Sequence, residues 1–131
     1  MRILSVDDSL TIRQTIQNMV EVLDVDFIEA ENGDIALKLL ESLEGRIDLI
    51  LLDWEMPVMN GYDFLVTIKK DKRFRSIPVI MLTQVSQKEK MISAIKAGAK
   101  QYITKPFTNE DLIIKIMQAL NIDNLEDLKK I

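Results

Sequence analysis

The chain has 131 residues, enough for one domain with a substantial core. Hydrophobic residues make up 47% and charged residues 29%, a globular balance rather than a disordered one, and a formal net charge of −4 argues against a broad footprint for nucleic acid or anionic membrane. Cysteine is absent, so there is no disulfide framework or thiolate metal site; histidine is absent too, which removes the commonest general base and transition-metal ligand.

The opening MRILSVDDS reaches its acids too early for a secretory signal, and no apolar run approaches membrane length. The expectation is a cytoplasmic protein with no direct contact to nucleic acid or membrane. Ile3 to Val6 is short, partly β-branched and bounded by acids, which reads as a buried strand. Ile12, Ile16, Met19, Val20 and Leu23 then recur at helical spacing behind Ser9, a suitable N-cap. Val25 to Ala30 reads as a second strand. Asn32-Gly33-Asp34 opens a helix with Ala36, Leu39, Leu40 and Leu43 on one face.

Leu49 to Leu52 is the third strand, followed by a proline-containing turn and a helix from about Tyr62 to Lys70. Pro78 to Leu82 forms a fourth strand ending at Thr83, and a helix from Lys88 to Ala97 stops at Gly98 in a left-handed cap. Gln101 to Thr104 is a fifth strand; Thr108 caps a last helix with Leu112, Ile113, Ile116, Met117 and Leu120 inward. Near-continuous apolar strands alternating with helices imply an α/β fold, a five-stranded parallel sheet with helices on both faces. Residues 121–131 are polar and charged, and an extended last helix, a short extra turn or a linker stub would each fit them.

In such a sheet the carboxyl ends of all strands share one edge, where ligands bind. Strand one ends at Asp7-Asp8, strand three at Asp53, strand four at Thr83 and strand five just before Lys105-Pro106. Each alone has an ordinary explanation: a helix cap, a turn acid, a strand-end hydroxyl, a solvated lysine. Together they do not. Three converging carboxylates repel one another, and a hard divalent cation relieves the repulsion; oxygen-only ligands point to magnesium or manganese rather than zinc.

This pattern resembles the receiver domain of two-component response regulators, the CheY-like family. The matching residues are Asp7-Asp8; Asp53 with Met56-Pro57, Met59 and Gly61; Thr83; and Lys105-Pro106-Phe107, together with AIKAGAKQYITKPF at residues 94–107. The resemblance spans about residues 2–120, so the domain is placed at 1–120, with 121–131 as an extension or linker stub. It implies a doubly wound, flavodoxin-like sheet in the order 2-1-3-4-5.

By the same resemblance Asp53 is the phosphoacceptor, attacking a phosphoryl group on a sensor histidine kinase or a histidine phosphotransfer protein. Magnesium would be held by Asp8 directly, by Asp7 through water, by Asp53, and by the backbone carbonyl of Glu55; Lys105 would add positive charge, aided by a cis Lys105–Pro106 bond. Thr83 and Tyr102 would form the switch, read by a downstream protein at the face of the fourth helix, fifth strand and fifth helix. Gln84, Glu55 and Val85 flank the site where the family tunes the lifetime of the phosphorylated state, and Gln84 is larger than the family's usual small residue.

Two other functions compete. A magnesium-dependent phosphatase with an aspartyl nucleophile would use a second acid two residues on, which Asp53-Trp54-Glu55 offers, but the rest of that motif does not fit. Flavodoxin-like binding of FMN needs a phosphate loop after the first strand, and Asp7-Asp8-Ser9 is not one.

Overall fold

Five apolar runs form one parallel sheet: β1 (Arg2–Val6), β2 (Asp26–Ala30), β3 (Leu49–Leu52), β4 (Val79–Thr83) and β5 (Gln101–Thr104), in the order β2-β1-β3-β4-β5. The computed structural model describes residues 1–84 and 87–128. The helices are α1 (Leu10–Val20), α2 (Gly33–Ser42), α3 (Gly61–Lys69), α4 (Lys88–Lys96), α5 (Asn109–Ala119) and a one-turn α6 (Leu125–Leu128). None of these is long and apolar enough to cross a membrane.

The period-two alternation of the strands divides the interior into two layers. Ile3, Leu49, Leu51, Ile80, Leu82 and Ile103 meet Ile16 and Val20 of α1 and Leu112 and Ile116 of α5. Their neighbours Leu4, Val6, Ile50, Leu52, Val79 and Met81 point the other way, onto Ala36 and Leu40 of α2, Phe64 and Ile68 of α3 and Ala94 of α4. Because β1, β3 and β4 are covered on both faces, nearly every residue in them is apolar. Each fully buried Leu or Ile contributes roughly 1.5–3 kcal/mol over an exposed one.

Side-chain caps start α1, α2, α3 and α5 at the carboxyl edge of the sheet. Ser9 Oγ accepts from the Ile12 N–H at 3.2 Å, Asn32 Oδ1 from Ile35 at 2.9 Å and Asn60 Oδ1 from Asp63 at 2.9 Å; Thr108 and Asp111 form a reciprocal capping box. Such a cap is worth about 1 kcal/mol. Gly98 follows α4 at φ +115°, the left-handed stop read from the sequence.

The differences from the sequence reading are local. Leu23 continues the stripe of α1 in a 3-10 turn (Glu21–Leu23), which Asp24 ends at φ +53°, so β2 starts at Asp26 rather than Val25. Pro78 stays outside β4, although its carbonyl accepts from Ile50 N–H at 3.0 Å; with no N–H of its own it enters the ladder on one side only. In the tail, Ile122 packs against the α1–α5 layer before the turn of α6.

Candidate functional site

The backbone ladders run one residue beyond the strands. Asp7 donates its N–H to Ala30 O at 3.1 Å, Asp53 to Val6 O at 2.9 Å, and Lys105 to Thr83 O at 2.9 Å. Each functional residue therefore leaves the sheet with its main chain still fixed by the core. Side chains of Asp7, Asp8, Asp53, Thr83 and Lys105 converge on one cleft of about 360 Å3, with Glu55 and Gln84 also lining it. The turn that follows Asp53 is held by Gly61 N–H to Trp54 O at 2.7 Å.

The carboxylates of Asp7, Asp8 and Asp53 each place an oxygen within 4.8 Å of the others. Asp7 and Asp53 are buried, at 3% and 8% exposure, while Asp8 is open to solvent. Lys105 Nζ lies 2.8 Å from Asp7 Oδ2 and 3.6 Å from Asp53 Oδ1, one cation against three carboxylates. Burial, with the charges of Asp7 and Asp8, pushes the Asp53 carboxyl up to about 6 against the opposing pull of Lys105 and the Trp54 N–H. The donor set, all oxygen with an uncompensated negative balance, suits a hard divalent cation. The Lys105–Pro106 bond is cis and the lysine points at the acids, as the sequence reading expects.

Arg13 was not legible as a site residue. Its Nη1 donates to the Asp7 carbonyl at 2.6 Å while its Nε pairs with Glu29 at 3.1 Å. With Ser9 N–H on Asp7 Oδ1 at 2.9 Å and Lys105 on Oδ2, every polar group of Asp7 is engaged. The available signal was an arginine one turn into the helix that follows the acid pair.

Thr83 is buried at 1% exposure beside the cleft, and Gln84 is exposed at its rim. Val85 lies outside the described residues. Tyr102 does not line the cleft; it packs at 8% exposure in the layer beneath α2, α3 and α4, where burial pushes its phenol up. Trp54 donates its N–H to Asp53 Oδ1 at 2.9 Å and stacks on Tyr62 with ring centroids 5.4 Å apart, and Lys90 Nζ lies 5.5 Å from the indole centroid.

The chain is similar to known proteins in sequence and in fold. The family described as response regulator receiver domain matches residues 3–117. Chemotaxis protein CheY1 of Helicobacter pylori is 39% identical over 127 residues, covering 95% of this chain and all of that one. Chemotaxis protein CheY of Pseudomonas aeruginosa is 38% identical over 125 residues, covering 92% and 99%. Among solved structures, chemotaxis protein CheY4 of Vibrio cholerae superposes with a TM-score of 0.83 at 30% identity, covering 91% of this chain and 98% of that one.

Proposed function

We propose that this chain, which belongs to the response regulator receiver domain family, is a switch in which Asp53 takes a phosphoryl group from a phosphohistidine on a partner kinase or phosphotransfer protein. Two-component signalling is the family's work, and a switch rather than a metabolic enzyme is its usual product. The observation that carries the finer reading is the convergence of Asp7, Asp8, Asp53 and Lys105 at one strand edge.

Both Trp54 N–H and Lys105 engage Asp53 Oδ1, which leaves Oδ2 to attack. In the transfer, a bond forms between that oxygen and phosphorus as the P–N bond to the donor imidazole breaks, leaving an acyl phosphate on Asp53 and the electron pair on the departing ring. The carboxyl must be ionised to attack, and a value of about 6 leaves it mostly ionised at neutral pH. Lys105 is within reach of the incoming phosphoryl oxygens, where positive charge stabilises the transition state. Asp7, Asp8, Asp53 and the main-chain carbonyl of Glu55 would hold magnesium or manganese, which would supply further positive charge to the same oxygens.

Thr83 would then hydrogen-bond the new phosphoryl group and draw its loop inward, favouring the inward ring of Tyr102. The readout would be the α4–β5–α5 face, where Ile92 and Ile95 are 43% and 48% exposed. Residues 1–120 would form the switch, working in the cytoplasm, with 121–131 as an appended segment. Gln84 at the rim would slow water's entry, and Glu55 beside it would tune the same step.

Intact mass after treatment with a small acyl phosphate and magnesium tests the acceptor: wild type should gain one phosphoryl group and Asp53→Asn none. Stable labelling of the Asn variant would move the acceptor elsewhere, and multiple turnover on a phosphate ester would favour the aspartyl phosphatase instead. Gln84→Ala should shorten the phosphorylated lifetime by up to roughly tenfold, which is about 1.4 kcal/mol of barrier. Equal lifetimes would leave Glu55 as the tuning residue.

A further inference from the structure

Charge is segregated in this chain. Residues 66–100 hold nine of the seventeen Lys and Arg residues and two of the twenty-one acids, a formal +7, while the other residues sum to −11. That stretch contains the second half of α3 and all of α4, and these two helices enclose a groove of about 380 Å3. Its floor is Tyr62, Val66 and Ala97, all half-buried, and its rim carries Lys70 and Lys96, both exposed. Among the described residues neither rim lysine is in an ion pair.

Tyr62, Val66 and Lys70 follow one another at four-residue spacing, so α3 presents a single stripe that passes from aromatic to aliphatic to cationic. Lys69 beside them is anchored, donating to the carbonyls of Arg75 at 3.0 Å and Ile77 at 2.6 Å, which fixes a further positive charge at the same end. A half-apolar floor under a lysine rim complements a polypeptide with apolar side chains on one face and carboxylates along its flank. A long polyanion fits less well. Outside this stretch the molecule is strongly negative, and Tyr62 leads through its stack on Trp54 to the acidic cleft.

We propose that the α3–α4 groove docks an acidic amphipathic segment of a partner protein, at a surface distinct from the α4–β5–α5 face. Binding there does not depend on the chemistry of Asp53. The test uses the full chain, isotope-labelled for amide NMR, and three probes: a helical peptide of leucines and glutamates, its counterpart with lysine for glutamate, and a 20-nucleotide single-stranded DNA. The acidic peptide should shift the amides of Tyr62, Val66 and Ala97, and should bind Asp53→Asn equally well, so that failure of the phosphorylation reading leaves this result untouched. The exposed pair Lys70→Glu and Lys96→Glu should weaken binding by roughly tenfold, as should high salt. No shift at the groove, equal binding of the two peptides, shifts confined to the α4–β5–α5 face, or tighter binding of the DNA would each overturn the proposal.

Discussion

Ionised Asp53 works against the fold that presents it. Its carboxyl is raised from the ordinary 3.8 to about 6, chiefly by burial, so the native state holds this proton more tightly than the unfolded chain does. Unfolding free energy must then fall as pH rises from about 4 to 6, and above that range the whole cost is present, of order 2 kcal/mol with some solvent access allowed for. Asp53→Asn should therefore raise the melting temperature at pH 7.5 in metal-free buffer by several degrees. The gain should shrink through pH 6 and vanish near pH 4; a gain that is the same at every pH would exclude this origin. In the sequence Asp53 stands out as an acid directly after Leu49 to Leu52, and the acceptor's role comes to it only through the family resemblance. Its electrostatic setting is not legible there, because that depends on how deeply the cleft is buried and where Lys105 Nζ comes to rest.

Between residue and fold stands the β3–α3 turn, and Gly61 is its tightest point. A Cβ built there would collide with the Asp53 carbonyl, and the Gly61 N–H is already committed to Trp54 O. The sequence marks Gly61 as a turn former; the structure gives a different reason, close approach rather than a left-handed backbone. Gly61→Ala should cost upwards of about 2 kcal/mol in urea denaturation, because backbone rather than a flexible side chain must yield. It should also slow phosphoryl uptake from a small donor, since the same turn aims Asp53. Wild-type stability and uptake in that variant would show the turn to be compliant. The other elements were legible to within a residue or two wherever a period was sustained and a cap was explicit, as at Ser9, Asn32 and Thr108. Legibility failed at Pro78 and at the 3-10 turn after Val20, where apolar character continues but the hydrogen-bonding pattern changes.

For the molecule as a whole, parallel pairing followed from the alternation of elements, whereas the strand order came through the family resemblance. Cross-sheet contacts such as Asp7 N–H to Ala30 O and Lys105 Nζ to Asp7 Oδ2 have no sequence signature. A cation in the cleft would bind the native state only, so stability should rise with the logarithm of magnesium concentration, by about 2.7 kcal/mol at a hundred times the dissociation constant. Thermal melts across a magnesium series should show this slope in wild type and a nearly flat line in Asp8→Asn; matching slopes would place the cation elsewhere. The separation of +7 from −11 has a consequence at longer range. A molecule so polarised experiences a torque in the field of a charged neighbour, and in dilute salt it turns before it touches. A phosphate-bearing donor would draw the lysine end toward itself and meet the carboxylate cleft as a barrier. The cation would then do more than assist chemistry: by cancelling the negative charge of the cleft, it would remove the barrier at the end where the donor must arrive.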